Sequence, residues 1–327
     1  MKALANAVWM LALAGIAAAT ASAARADDLV VTHYGSLLYG TPYAIALEKG
    51  YFKDAGVDVT GILTSKGGGT SVRNMMAGET LFAEVALPAA LSAIKEGFKI
   101  KIISGGTDGS SGFWVTRPGE SIDKPEDLKG KRFVYSRPKS VSESIILAIL
   151  KSFNIAPSDV KMVAIGDFGA GLTALEHDKV DIAIIPEPIY SRKMKEGAKY
   201  KILPWLASRI PAYTQTVGIA TEEAIAKQGA KLRAVVEARR KAVEYLYAHP
   251  REAAQILAKA YNLPPDIAES AVSNTLSQNP TWWNGGELKR PLMEAMADAL
   301  ASVGALQLPI DWTAAIDASF APTAKTQ

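Results

Sequence analysis

From Leu29 onward, short apolar runs alternate with helical ones, and near residue 111 the alternation starts over. "LVVTHY" (29–34) has the branched and aromatic content of a strand, and "PYAIALEKGYFKDAG" (42–56) reads as a helix ending at Gly56. "VDVTGIL" (57–63) is a second strand, and a glycine loop then leads into a helix from about Ser71. "LFAEVAL" (81–87) and "KIKIIS" (99–104) are strands around the helix "PAALSAIKEGF". Strands that alternate with helices long enough to cross a sheet imply a mostly parallel sheet covered on both faces.

The second round repeats the plan. "SGFWVTRP" (111–118) is extended, and "DKPEDLKGKRFVYS" (123–136) is a short polar helix running into a strand. "SVSESIILAILKSF" (140–153) is an amphipathic helix, "VKMVAIG" (160–166) a strand, and residues 171–197 read helix, strand, helix. "MMAGETLFAEVALPAALSA" and "ALEHDKVDIAIIPEPIYSR" echo one another: helix end, acidic residue, apolar strand, proline, helix. A lone strand, "TQTVGIA" (214–220), precedes helices expected at 221–248, 250–261, 264–276 and 287–303. The expected class is therefore α/β with two lobes. Residues 27–113 and 216–327 form lobe I, residues 114–215 form lobe II, and the chain crosses between them twice. The default ligand site is the cleft between the lobes, where strand C-termini and helix N-termini face each other.

The first 26 residues stand apart. Lys2 is a short positive region, Ala7–Ala19 is apolar, and Ala24-Arg25-Ala26 matches a small-residue cleavage site, the layout of an export signal cut near Ala26. The apolar stretch is shorter than the roughly 20 residues a membrane span needs. Removing this segment takes away Lys2 and Arg25 and lowers the formal net charge from +3 to +1. With basic and acidic residues interspersed, no basic stripe suited to nucleic acid remains. The chain has no cysteine, which rules out disulfides, thiolate metal sites and a lipidated anchor. An exported protein of this kind is expected in the periplasm.

Chemistry-bearing motifs are few. "SKGGGTSVRNMMAGE" (65–79) lacks the Lys-Ser/Thr of a phosphate loop and the last glycine of a dinucleotide fingerprint. What remains is a helix start whose free N–H groups favour a polar or anionic group, unless the loop is a plain turn capped by Thr70 or Ser71. "YGSLLYGTP" (34–42), "YSRPKSVSE" (135–143) and "GDFGAGL" (166–172) are strand-to-helix turns of the same kind. His33, His177 and His249 show no metal spacing, and no nucleophile elbow is present. Acids such as Glu84 and Glu187 sit near strand ends and suit acid–base work, but nothing pairs them with a nucleophile; a structural turn is the other reading for Glu187. Trp282-Trp283 read as packing anchors rather than a stacking platform, and "EARRKAVEYLY" as a solvated helix face.

Four stretches together, "ALEKGYFKDAGVDV" (46–59), "SIDKPEDLKGKRF" (121–133), "SESIILAILKSFNIAPSDV" (142–160) and "KVDIAIIPEP" (179–188), resemble the solute-binding proteins of bacterial ABC importers for nitrate, sulfonates, taurine and thiamine-type pyrimidine precursors. The resemblance runs from about Asp28 to "IDASF" near the C-terminus. It implies a type II periplasmic binding protein: two mixed sheets flanked by helices, joined by a two-strand hinge, closing on a solute and delivering it to a membrane permease and its ATPase. It also implies a monomer with no cofactor, no metal and no catalytic residue. The ligand-contacting loops map onto Leu38, Tyr39, Gly40 and Thr41; Gly67, Gly68, Gly69 and Thr70; Ala86, Leu87 and Pro88; Ser136, Arg137, Ser140, Val141 and Ser142; and Asp167, Phe168 and Glu187. Lys139 beside Arg137 is a further anion partner. The sulfonate and taurine branches have small polar residues where this chain has the apolar "VALPAAL". With Tyr39, Tyr43 and Phe168 near the cleft, the ligand expected is a small anionic organic molecule: a larger organic acid, aromatic or otherwise, ahead of a sulfonate. The enzyme branch of the same fold depends on a cysteine-rich signature and a donor histidine, and this chain has no cysteine. Two other roles fit the same sequence: a subunit that presents ligand to a sensor, and a small periplasmic enzyme built on Glu84 or Glu187.

Overall fold

The computed structural model describes residues 27–136, 138 and 140–322, so the expected export signal and the candidates Arg137 and Lys139 lie outside the described residues. The first round of alternation gives β1 (Leu29–Thr32), α1 (Thr41–Glu48), α2 (Tyr51–Asp54), β2 (Ile62–Ser65), α3 (Gly68–Met76), β3 (Phe82–Ala86), α4 (Leu87–Lys95) and β4 (Ile100–Asp108). The second gives β5 (Gly112–Thr116), β6 (Arg132–Tyr135), α5 (Val141–Ser152), β7 (Lys161–Ala164), α6 (Phe168–Glu176), β8 (Ala183–Pro186) and α7 (Ile189–Lys195). A short β9 (Lys201–Ile202) and α8 (Pro204–Ala207) lead to β10 (Thr214–Thr221). The remainder is helical: α9 (Glu222–Ala248), α10 (Pro250–Tyr261), α11 (Pro265–Gln278), α12 (Arg290–Ser302) and α13 (Trp312–Ala315).

The first sheet has the order β2-β1-β3-β10-β4, with β10 antiparallel to both neighbours and β1, β2 and β3 parallel. In the second, β8-β5-β9 is antiparallel and β6-β7 parallel. A bridge between Phe133 and Ile182, with Val134 N–H donating to the Ile182 carbonyl at 3.0 Å, joins the two parts. The combined order β7-β6-β8-β5-β9 repeats that of the first sheet. The sequence echo is therefore topological: α3-β3-α4 and α6-β8-α7 occupy matching places. Each sheet is sandwiched. Leu29, Val31 and Phe82 pack under α1, α9, α10 and α11, while Val30, Val85 and Ile102 pack under α3, α4 and α12. In the second lobe, Phe133 and Ile182 pack against α5, and Val115, Val134 and Ile185 against α6.

Two expectations need correction. The helix foreseen over 42–56 is broken after Glu48, because Gly50 takes a left-handed conformation (φ 74°) that ends α1 and restarts the chain as α2. The strand foreseen over 57–63 pairs only from Ile62, because its partner β1 begins at Leu29 and the register sets Leu29 opposite Ile62.

The chain passes between the sheets at residues 109–111 and 208–213. These crossings are tied together where Gly109 N–H donates to the Tyr213 carbonyl at 2.6 Å. Asp108, just before the first, is held on the first lobe. Its carboxylate accepts from Thr214 Oγ1 (3.0 Å) and Asn284 Nδ2 (2.8 Å) and pairs with Lys289 (2.9 Å), while its carbonyl accepts from Asn279 Nδ2 (2.9 Å).

Candidate functional site

Because β1, β2 and β3 are parallel, α1, α3 and α4 all begin at one end of the first sheet; β6, β7 and β8 do the same for α5, α6 and α7 in the second. Between the two sets lies a cavity of about 50 Å³ whose walls come from both lobes. Leu37, Leu38, Tyr39, Gln215 and Trp282 line it from the first; Phe168, Ile184, Pro186 and Glu187 line it from the second; Ser110, Ser111 and Gly112 close its back. A larger hollow of about 390 Å³ adjoins it, walled mostly by the crossings themselves (Gly109, Ser110, Ser208, Ile210, Pro211 and Ala212), with Gln278 and Asn279. The smaller cavity has the character of a ligand site, since aromatic walls and a few convergent polar groups meet there from both lobes.

Tyr39 and Trp282 form its aromatic wall, with ring centroids 5.5 Å apart. Gln215 fixes both: its Nε2 donates to the Tyr39 hydroxyl at 2.8 Å, and its Oε1 accepts from Trp282 Nε1 at 3.2 Å. Burial, followed by the nearby Glu84 carboxylate, pushes the Tyr39 hydroxyl well above the usual phenol range, so it stays protonated and able to donate. Phe168, the first residue of α6, is among the exposed large hydrophobics at 36%. Glu187 is almost fully buried and accepts from Ser191 N–H (3.1 Å), Ser191 Oγ (3.0 Å) and Asn274 Nδ2 (2.7 Å). Burial raises its carboxyl above the ordinary glutamate value against the opposing pull of these bonds.

Of the candidates read from sequence, the cavity brings together Leu38, Tyr39, Phe168 and Glu187. The others shape the surrounding loops. Thr41 is buried and donates to the Leu38 carbonyl at 2.9 Å. Gly40 is close-packed, since a Cβ there would stand 2.3 Å from the Tyr34 ring. Gly68 lets α3 sit against α4, because its Cβ would meet that of Ala89 at 2.5 Å; Gly67 faces open space, a Cβ at Gly69 would make only ordinary contact with Arg73 Nη1 at 3.6 Å, and Thr70 accepts from Arg73 at 3.1 Å. Ala86, Leu87 and Pro88 start α4, with Leu87 turned into the core. Ser136, Ser140 and Ser142 form a hydroxyl cluster at the start of α5, with Oγ–Oγ distances of 3.1 and 3.0 Å. Val141 packs against the first-lobe core, and Asp167 caps α6 by accepting from Ala170 N–H at 2.9 Å.

Sequence reasoning missed Gln215, Ser110 and Ser111, and it gave Trp282 a packing role alone. A glutamine flanked by Thr214 and Thr216 at the opening of the lone strand was the one signal for Gln215. The solvated reading of "EARRKAVEYLY" is overturned at Arg239, which is 1% exposed. Arg239 pairs with Glu84 at 2.9 Å and donates to the Gly106 carbonyl at 2.7 Å and to the Asn284 carbonyl. Glu84 also accepts from Tyr43 (2.6 Å) and Thr216 (2.7 Å). A carboxylate so fully engaged within the sheet is a brace and is not placed to exchange protons with a substrate. Among the described residues no cluster of His, Cys, Asp and Glu could hold a metal ion, and no helix is long and apolar enough to cross a membrane.

Residues 38–253 match the family model described as NMT1/THI5 like. The chain belongs to that family. No curated protein sequence matches it. Among solved structures, the periplasmic aliphatic sulphonate binding protein SsuA from Escherichia coli superposes with a TM-score of 0.71 at 13% identity, covering 92% of this chain and 95% of that one. The alkanesulfonate-binding protein SsuA from Xanthomonas axonopodis pv. citri, bound to MOPS, gives 0.67 at 15% identity, with 91% and 100% covered. The desulfurization enzyme DszB gives 0.61 at 15% identity, with 90% and 97% covered. At such identities the likeness concerns the fold. This NMT1/THI5-like chain has the periplasmic binding protein fold.

Proposed function

We propose that the protein is the periplasmic solute receptor of an ABC importer and that it takes up an aromatic organic acid in the cleft between its lobes. The observation that carries this reading is the cavity walled by Tyr39 and Trp282 from one lobe and by Phe168 and Ile184 from the other. A flat ring between those walls gains dispersion and burial energy from both lobes at once. The Tyr39 hydroxyl and the serine cluster at the start of α5 supply donors for an acidic group, and that helix end adds its dipole. Glu187 repels a carboxylate, so the acid points away from it. At about 50 Å³, the cavity is about a third of the roughly 150 Å³ of an apolar void that takes up benzene. The lobes must therefore part to admit a ring and re-close around it, bending at 109–111 and 208–213. We place the lobe boundaries at those crossings.

The role in transport is supported by the sulfonate-binding relatives of the same fold. The two SsuA proteins bind aliphatic sulfonates by name, whereas the aromatic lining here favours a ring. DszB shows that the fold also hosts catalysis, and turnover of any ligand by the purified protein would favour the enzyme reading. Thermal unfolding of the chain from Asp27 against alkanesulfonates, nitrate, aromatic mono- and dicarboxylates and pyrimidines, with ATP and NADH as controls, tests the proposal. An aromatic acid at roughly 100 times its Kd should add about 2.7 kcal/mol. Stabilisation by nucleotides alone would sink it.

A further inference from the structure

The lobes meet on both flanks of the cavity, and the two seams differ. On one flank Val141 and Ile145 of α5 pack against the first-lobe core that includes Met293 and Met296 of α12. That seam is apolar. On the other, α7 of the second lobe faces α11 of the first, and its contacts are polar. Lys195 pairs with Asp266 at 2.6 Å on the exposed rim, and inside it Asn274 Nδ2 donates to Glu187 Oε1 at 2.7 Å and to Ser191 Oγ at 3.3 Å. Asn274 belongs firmly to the first lobe, since its helix buries Ala268, Ala271 and Val272 in the core beneath β1. Glu187 belongs to the second, held at the start of α7 by Ser191.

Glu187 therefore has two donors from its own lobe and one from the opposite lobe. We propose that Asn274 is a positioning residue: it orients the Glu187 carboxyl in the cavity wall and does so only when the lobes are closed, so that this hydrogen bond helps set the balance between closed and open forms. The proposal rests on the cleft being the ligand site for its purpose, but the bond itself exists without ligand. Among the described residues no cation touches Glu187; Lys195, on the same helix, is taken by Asp266. A buried carboxyl that loses one of three neutral donors is left under-solvated. A ligand can favour the closed state only through contacts specific to it, and the closed state is where Glu187 is fully held.

The chain has no cysteine, so nitroxide labels on cysteines introduced at the exposed Glu196 and Glu269, one on each side of the polar seam, would report lobe separation by pulsed electron resonance. The protein from Asp27 would be measured without ligand. Asn274→Ala should raise the open-to-closed ratio about tenfold, the order expected for a lost hydrogen bond to a charged group. Asn274→Asp should open the seam further at pH 8, where two carboxylates face each other, and re-close it near pH 5 as one takes up a proton. The other groups facing this pair are Tyr190 on α7 and the Lys195–Asp266 pair. The double change Glu187→Gln with Asn274→Asp reverses donor and acceptor and should restore closure at pH 8. Asp266→Asn, which breaks only the rim ion pair, should leave the ratio within about twofold. Unchanged distances in Asn274→Asp at both pH values, no rescue in the double variant, or equal opening by Asp266→Asn would each overturn the proposal. Failure of every solute to bind would instead count against the receptor reading and leave these distances as they are.

Discussion

The two lobes share one strand order yet hold their charged groups in opposite ways. In the first, Glu84 and Arg239 are each 1% exposed and lie inside the sheet–helix layer, bonded to β4, β10 and the loop at Asn284. In the second, Asp181 accepts from Arg132 N–H (2.7 Å), Arg132 Nη2 (2.6 Å) and Arg117 (3.2 Å), with Asp178 and Glu120 completing a half-exposed network. That network ties strand ends: Arg132 opens β6, Arg117 follows β5, and Asp181 precedes β8. The first arrangement braces the strands that lead into the crossings; the second holds together the strand ends at the edge of the second sheet. Burial decides what each is worth, because screening by water weakens the second and spares the first.

The contrast can be broken most forcefully at Arg239. Arg239→Ala leaves the Glu84 carboxylate buried without its cation and should destabilise the protein by about 3–5 kcal/mol, read by denaturant unfolding. Loss of less than about 1 kcal/mol would show that the brace is not needed. Asp181→Ala in the other network should cost about 2 kcal/mol, because Arg117 and Arg132 regain water when their partner goes. A cost equal to that of Arg239→Ala would erase the distinction.

Acid should separate the lobes as well. The arginines beside Asp181 outweigh its burial and hold its carboxyl far below the usual aspartate value. Its contribution is thus present above about pH 3.9 and is lost as the pH falls below that. Glu187 has the opposite sign: its raised value makes its contribution greatest below about pH 4.3 and loses it as the pH rises through the shifted value. Stability measured against pH should therefore fall less steeply on the acid side in Asp181→Ala and be higher near neutral pH in Glu187→Gln. Parallel curves for both variants would contradict this.

The smallest expected effects compare neighbouring glycines. Gly68→Ala drives a Cβ to 2.5 Å from that of Ala89 and should cost about 1–3 kcal/mol by overpacking. Gly69→Ala, whose Cβ would meet only the Arg73 side chain at an ordinary 3.6 Å, should change stability by no more than about 0.5 kcal/mol. Equal behaviour of the two would mean that the glycine loop serves no packing role at α3.

Much of the architecture could be read from the chain because parallel α/β units write their order in sequence: strand, helix, strand, with proline or a capping residue at each helix start. The match of Pro88 and Pro188 at the starts of α4 and α7 was visible as a repeat before the sheets were known. The site was legible only where it falls on those turns, as at Leu38, Tyr39, Phe168 and Glu187. Gln215 and Trp282 come from the returning segment and reach the cavity through tertiary packing, which local pattern does not encode. Arg239 was misread for a similar reason: a single arginine on a charged helix gives no sign of a carboxylate waiting 155 positions away in sequence.

The central claim is that an aromatic ligand sits between Tyr39 and Trp282 on one side and the second lobe on the other. Titration calorimetry of wild-type protein and Trp282→Ala, with the aromatic acid that raises the unfolding temperature most, tests it directly. The account predicts one site per chain and a loss of affinity of at least about tenfold in the variant, the scale of a lost aromatic contact. Equal affinity in the two proteins would place the ligand elsewhere and contradict it.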